Sequence, residues 1–166
     1  MADRTLPGAI TIRRATSEDA EIITQHRAAM FDDIRGPFPP EVMGAMNASF
    51  VDYVRRGLAE GTYLGWLACT EADEVVGGGG LILLEWMARP EDVDRRLAYI
   101  ANVYTAPAYR RRGIARRIVE TIIDWCRNRE ISFVSLHASE FGRPLYESLG
   151  FEPTNEMQLD LRQGDG

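Results

Sequence analysis

The chain has 166 residues, 45% of them hydrophobic and 27% charged, with a formal net charge of −6. That length suits one domain with a real core, and the acidic total argues against a nucleic-acid-binding body. Two cysteines, Cys69 and Cys126, both in apolar runs, argue against a disulfide framework or a metal site, and as reduced thiols they point to the cytoplasm. No apolar run approaches the ~20 residues that span a bilayer, and Met1–Gly8 lacks the apolar core of a signal peptide.

Ile10–Arg13 alternates and predicts a first strand. Thr16 and Asp19 stand three apart in a capping-box pattern, ahead of a helix through about Phe31 that carries Ile22, Ile23, Met30 and Phe31. His26 lies on it, with packing, surface and catalytic roles all open. Asp32–Pro40 is a loop broken by Gly36-Pro37 and Pro39-Pro40. Pro40 suits the first position of a second helix, on which Met43, Met46, Phe50, Val54 and Leu58 recur at three and four residues before Gly61 caps it. Thr62–Thr70 is strand-like, Glu71–Glu74 a polar turn, and Val75–Trp86 a further strand interrupted by Gly77–Gly80. Those glycines lack the Lys-Ser/Thr of a phosphate loop and no helix pattern follows, so they read as a bulged or closely approached strand. Met87–Arg96 is a charged connection.

Leu97–Thr105 predicts a buried strand that Pro107 ends. A basic turn leads to Gly113 and a helix to about Arg129, where Ile114, Ile118, Ile122 and Cys126 fall four apart on one stripe. Ile131–Ala138 predicts a strand, Gly142–Leu149 a short helix ended by Gly150, and Met157–Leu161 a last strand with alternating Met157, Leu159 and Leu161. Arg162–Gly166 reads as a tail. No repeat or linker divides the chain, so it reads as one domain with a core over about 10–161. The order β-α-α-β-β-β-α-β-α-β combines hairpins with one βαβ crossover, which predicts an α/β architecture: a mixed sheet with helices on both faces.

The turn between the fourth strand and its helix has the makings of an anion site. The first amides of a helix have no internal partner and the peptide dipoles favour negative charge there. Gly113 has no Cβ to keep a phosphate away, Ala115 is small, and Arg110, Arg111, Arg112 and Arg116 add charge. A diphosphate ligand follows from that arrangement; a solvated arginine-rich turn is the plainer alternative.

Arg110-Arg111-Arg112-Gly113-Ile114-Ala115 resembles the Gln/Arg-x-x-Gly-x-Gly/Ala signature of the GCN5-related N-acetyltransferases, and Leu145–Phe151 resembles that family's Tyr-x-x-x-Gly-Phe mark. The resemblance covers most of the chain and is strongest from Leu97 to Phe151. It implies an acyl-CoA N-acyltransferase fold whose sheet splays between Leu97–Thr105 and Ile131–Ala138, and acetyl-CoA as co-substrate with no metal. By the same resemblance Val103, Tyr104 and Thr105 match the strand end that meets the pantetheine arm and the acetyl carbonyl. Arg111, Arg112, Gly113, Ile114, Ala115 and Arg116 match the pyrophosphate cradle, and Arg110 the first signature position. Tyr146 matches the general acid toward the leaving thiolate. Ser139 stands where relatives often carry an asparagine against the cofactor, and Asp32, Asp33 and Arg35 lie in a loop that borders the acceptor site.

Such a transfer needs a deprotonated amine, since an alkyl ammonium of pKa ~10 has no lone pair at neutral pH. Asn102 and Ala101 stand where relatives carry a glutamate, and neither accepts a proton. Glu85, His137 and a water chain remain as candidate bases. The expected activity is acetyl transfer from acetyl-CoA to a primary amine of unknown identity, with a non-catalytic acyl-CoA-binding regulatory module as the alternative. No nucleic-acid or membrane partner is expected, and a homodimer is left open.

Overall fold

The computed structural model describes residues 8–162. The readings for residues 1–7 and 163–166 lie outside that range. In chain order the elements are β1 Thr11–Arg14, α1 Ala20–Ile34, α2 Pro40–Glu60, β2 Tyr63–Cys69, β3 Val75–Glu85, β4 Arg96–Thr105, α3 Ile114–Arg127, β5 Val134–Leu136 and α4 Arg143–Ser148. One five-stranded sheet runs β1-β2-β3-β4-β5. Its first four strands are antiparallel neighbours, and β5 joins parallel to β4 through the α3 crossover.

β2 is buried along its whole length, because helices cover both faces of the sheet. Side chains alternate across a strand, and the two faces of β2 enter two cores. Leu64, Trp66 and Ala68 pack with Ile114, Ile118, Val119, Ile122 and Cys126 of α3. Tyr63, Leu67 and Cys69 pack with Ile23 of α1 and Val54 of α2. The stripe expected on α3 is the buried one, and full burial of each isoleucine contributes about 1.5–3 kcal/mol. Both cysteines are free and buried. Burial pushes the Cys126 thiol up to about 11.

The glycine run has a steric cause on both faces. A Cβ on Gly79 would stand 2.7 Å from Ile118 Cγ2, and one on Gly80 2.0 Å from Tyr63 Oη. The closely approached strand expected from the sequence is what forms. Gly61 caps α2 with φ 81°, as Pro40 opens it. At the start of α1 the Asp19 carboxylate accepts from the Thr16 amide at 2.8 Å, the acidic half of the capping box.

Two expectations need correcting at the C-terminal side. β5 is short, Val134–Leu136 rather than Ile131–Ala138, and Phe133 is half exposed. No strand forms over Met157–Leu161: that stretch makes no ladder with the sheet, and Met157, Leu159 and Leu161 are 94%, 80% and 83% exposed. A period-two apolar pattern supplies one face of a strand; it still needs a neighbour to pair with and a surface to cover it, and among the described residues neither is supplied.

Candidate active site

β4 and β5 stay together for only three pairs, Ala98 with Val134, Tyr99 with Ser135 and Ile100 with Leu136. Beyond Ile100, β4 continues to Thr105 along β3, while β5 has ended. A bulge sits at the parting. Gly80 pairs with Ala101 and Gly78 with Tyr104, so Asn102 and Val103 together oppose Gly79. A bulge of this kind bends and twists its strand, and it falls just past the last pair with β5. The splayed sheet follows from that geometry.

Asn102 adopts φ 58°, a left-handed conformation that asparagine tolerates better than most residues. Its buried amide is clamped from two sides. Oδ1 accepts from Arg27 Nη1 at 2.6 Å, and Nδ2 donates to Tyr63 Oη at 3.0 Å. Burial pushes the Tyr63 phenol up to about 12, so it stays protonated. His26, buried beside this cluster, packs against the Tyr104 ring at 4.9 Å, and burial pulls its imidazole down to about 4. His26 thus presents a neutral ring packed against the strand that bears the bulge.

The basic turn follows. Arg111 and Gly113 take φ 61° and 76°, and Gly113 is the N-cap of α3. Among the described residues, the amides of Arg111, Arg112, Gly113, Ile114, Ala115 and Arg116 have no hydrogen-bond acceptor. A Cβ on Gly113 would meet nothing within 4 Å, so the backbone is open to a ligand on that side. Unpartnered amides converging at a helix start, with space before them, fit a diphosphate.

Arg112 stacks over the Tyr109 ring at 5.4 Å, and two more of the arginines hydrogen-bond to protein. Arg110 donates from Nε to the Thr105 carbonyl at 2.8 Å and from Nη2 to Asp33 at 2.6 Å. It thereby ties the turn to the end of α1, and Asp33 serves that tie. Arg116 donates to Ser148 Oγ at 2.5 Å and pairs with Glu120 at 3.5 Å, linking α3 to α4.

A cleft of about 390 Å³ lies between the open edge of β5, α4 and residues 152–158; Tyr99, His137 and Tyr146 line it. Tyr146 packs edge-on against Phe151 at 5.9 Å, and burial raises its phenol. The proton therefore stays on Tyr146 at neutral pH, which a general acid requires. Tyr99 Oη and His137 Nδ1 share a hydrogen bond. Ser139 Oγ accepts from the Gly142 amide at 3.1 Å, so its lone pair holds the turn into α4 while its own proton is free to donate. Glu85 is elsewhere. It pairs with Arg96 at the start of β4 and borders a separate cleft with Trp86 and Arg129, the length of a strand away from Val103. His137 and Tyr146 come together; Glu85 does not join them.

Tyr99, Arg27 and the structural use of Asn102 escape a reading of the sequence. An asparagine inside the apolar run Leu97–Tyr104 is the one signal that existed, since a buried polar group in a strand needs partners. Nothing in the sequence singles out Arg27.

An open mixed sheet, parted beside a phosphate-type cradle, is the fold of the acyl-CoA N-acyltransferases. Residues 27–151 match the model of the Acetyltransferase (GNAT) family. A GCN5-related N-acetyltransferase from Ralstonia eutropha JMP134 has the same fold, with a TM-score of 0.83 and 33% identity, covering 93% of this chain and 99% of that one. A protein from Clostridium acetobutylicum described as a predicted acetyltransferase, solved with acetyl-CoA, shares the fold with a TM-score of 0.83 at 24% identity, covering 93% of this chain and 98% of that one. Over 88 residues, 52% of this chain, the sequence is 30% identical to glucosamine 6-phosphate N-acetyltransferase of Trypanosoma brucei brucei; the match spans 58% of that protein. The chain belongs to the GNAT acetyltransferase family.

Proposed function

We propose that this protein is an acetyl-CoA-dependent N-acetyltransferase that delivers the acetyl group to a primary amine by direct attack on the thioester. The observation that carries this reading is the parting of β4 from β5 beyond Ile100, with the unpartnered amides around Gly113 beyond the end of β4. When bound, acetyl-CoA supplies the activated acetyl group as a thioester. The amides of Arg111 to Arg116 would hold its diphosphate, and the main chain of Val103, Tyr104 and Thr105, freed from β5, would take the pantetheine arm. Arg110 and Arg116 keep the cradle in place through Thr105, Asp33 and Ser148. Ser139 has a hydroxyl proton to offer the cofactor.

Tyr146 holds the proton that the departing sulfur needs. His137 accepts the amine's proton, directly or through water, with Tyr99 fixing its ring. Glu147, Glu152 and Glu156 border the same cleft against one cation, Arg143, which is 3.5 Å from Glu147. That excess of carboxylate favours an ammonium-bearing acceptor.

Thiol release from acetyl-CoA across a panel of amines, peptides and polyamines tests the reading. Amine-dependent release is the expected result. A rise in melting temperature with acetyl-CoA and no release with any amine would instead leave a binding module, the reading that the remoteness of Glu85 favours. Neither effect would remove acetyl-CoA altogether.

A further inference from the structure

Arg27 is a cation without a counter-charge in an acidic chain. It stands on α1, half-buried, with its Cζ 4.9 Å from the centroid of the Phe31 ring and 4.8 Å from that of Phe50. Its one hydrogen bond runs from Nη1 to a neutral acceptor, Asn102 Oδ1. Nε is buried with no acceptor, and Nη2 beside it has none among the described residues. Burial pulls the guanidinium below its ordinary pKa. The titratable groups that act against this are the phenols of Tyr63, Tyr53 and Tyr99, and no carboxylate is among them. By contrast Arg55, on α2, reaches Glu21 of α1 at 2.8 Å. A charge withdrawn from water is costly unless it is paired, and for Arg27 the chain supplies no pair among the described residues.

Its place in the fold is next to the chemistry. Ala98 and Ile100 of β4 pack toward α3. Side chains alternate along a strand, so Tyr99 between them lies on the other face of the sheet. Beyond the bulge Asn102 joins that face, against Tyr63 and Arg27. Arg27 therefore shares a sheet face with Tyr99, whose hydroxyl meets His137 in the candidate active-site cleft. Asn102, its hydrogen-bond partner, directly precedes Val103, where the main-chain stretch assigned to the thioester arm begins.

We infer that Arg27 selects the acceptor by taking its carboxylate on the Nε–Nη2 edge, so that the amine acetylated is that of a free amino acid. Resting on the acetyl-transfer reading, this names the substrate class for it. The Nε–Nη2 edge is a planar fork that matches both oxygens of a carboxylate. The phenols of Tyr53 and Tyr99 stand close by as neutral donors. One guanidinium balances one negative charge, whereas a phosphate monoester carries close to two at neutral pH and would leave the second unmatched. At the other end of the acceptor, Glu147, Glu152 and Glu156 border the cleft and favour its ammonium. An amino acid carries the two opposite charges that these two sets of groups lack.

Thiol release from acetyl-CoA is measured with free amino acids, each against its own amide, and with phosphoethanolamine, for the wild type and Arg27→Gln. A free carboxylate raises the pKa of its neighbouring ammonium, so a preference for the acids is not one for easier deprotonation. The expected wild-type kcat/KM is at least ~10-fold higher for one or more amino acids than for the matching amide, and Arg27→Gln brings that ratio near to one through KM. Loss of the hydrogen bond to Asn102 slows both members of a pair alike, so the ratio reads the carboxylate contact alone. A wild type with no preference for any acid overturns the inference. So does a preference kept in folded Arg27→Gln, or phosphoethanolamine outrunning every amino acid. If Arg27→Gln fails to fold, Arg27→Lys takes its place: it keeps the charge and loses the fork, and an unchanged ratio overturns the inference. If the wild type turns over no amine, the acetyl-transfer reading is what fails, and binding decides on Arg27. With CoA present, N-acetylleucine raising the melting temperature above N-acetylleucinamide in the wild type but not in the variant supports the carboxylate site; equal shifts, or none, overturn it.

Discussion

Replacing Gly80 by alanine should be far more damaging than a single methyl suggests. The added Cβ would stand 2.0 Å from Tyr63 Oη, 2.4 Å from Cζ and 3.0 Å from Cε2. Tyr63 is 1% exposed and cannot swing into solvent. Overpacking of this kind costs about 1–3 kcal/mol. Shifting the ring also breaks the 3.0 Å bond from Asn102 Nδ2, leaving buried polar groups unsatisfied for a further ~1 kcal/mol or more. Against these stands a gain of roughly 0.5–1 kcal/mol for replacing a strand glycine. The net loss is about 2–3 kcal/mol, read as a lower urea midpoint at unchanged slope. Because Tyr63 and Arg27 hold Asn102 at the bulge, thiol release should fall as well. Tyr63→Phe in the same background removes Oη but leaves the ring carbon in the way, so the cycle should show partial rescue only. Gly80→Ala as stable as the wild type would refute the reasoning, since it would mean that Tyr63 is free to move and does not hold the bulge.

Tyr146→Phe should lower turnover by ~10²-fold and leave acetyl-CoA affinity and the melting temperature near wild type, because the Tyr146 hydroxyl has no hydrogen-bond partner among the described residues; an unchanged rate removes it from the mechanism. Gly113→Val forces a β-branched residue to φ 76°, costing about 1–3 kcal/mol of stability. Its side chain stands in the open approach to the amides, so titration calorimetry should show at least ~10-fold weaker acetyl-CoA binding; equal affinity argues against the cradle. Stability should also fall at acid pH through His26. The imidazole is neutral when folded, with its pKa pulled down to about 4 by burial, and binds a proton when unfolded near pH 6.5. Stabilisation is thus full above about pH 6.5 and is lost as pH falls toward 4, by roughly 2–3 kcal/mol. Chemical denaturation at stepped pH measures this, and His26→Gln should flatten that part of the profile.

The order and kind of the elements from Ile10 to Gly150 were legible in the sequence, because each rests on local physics. Apolar spacing marked the buried stripe of α3, Pro40 and Gly61 bounded α2, and the missing Lys-Ser/Thr kept Gly77–Gly80 a strand. The signature turn was legible for the same reason: a strand end, a glycine and a helix start are neighbours in the chain. What stayed hidden depends on residues far apart meeting. Arg27, Tyr63 and Asn102 form their clamp across 75 and 39 positions, Asp33 finds Arg110 across 77, and Tyr99 meets His137 across two strands. Met157–Leu161 marks the boundary most clearly. Its alternation was fully present in the sequence, yet a strand is a relation between two backbones, and a pattern in one segment cannot supply the second. The chain itself determined which segments are able to bury a face; the tertiary structure decided which of them find a partner, because pairing and burial are properties of the assembled surface.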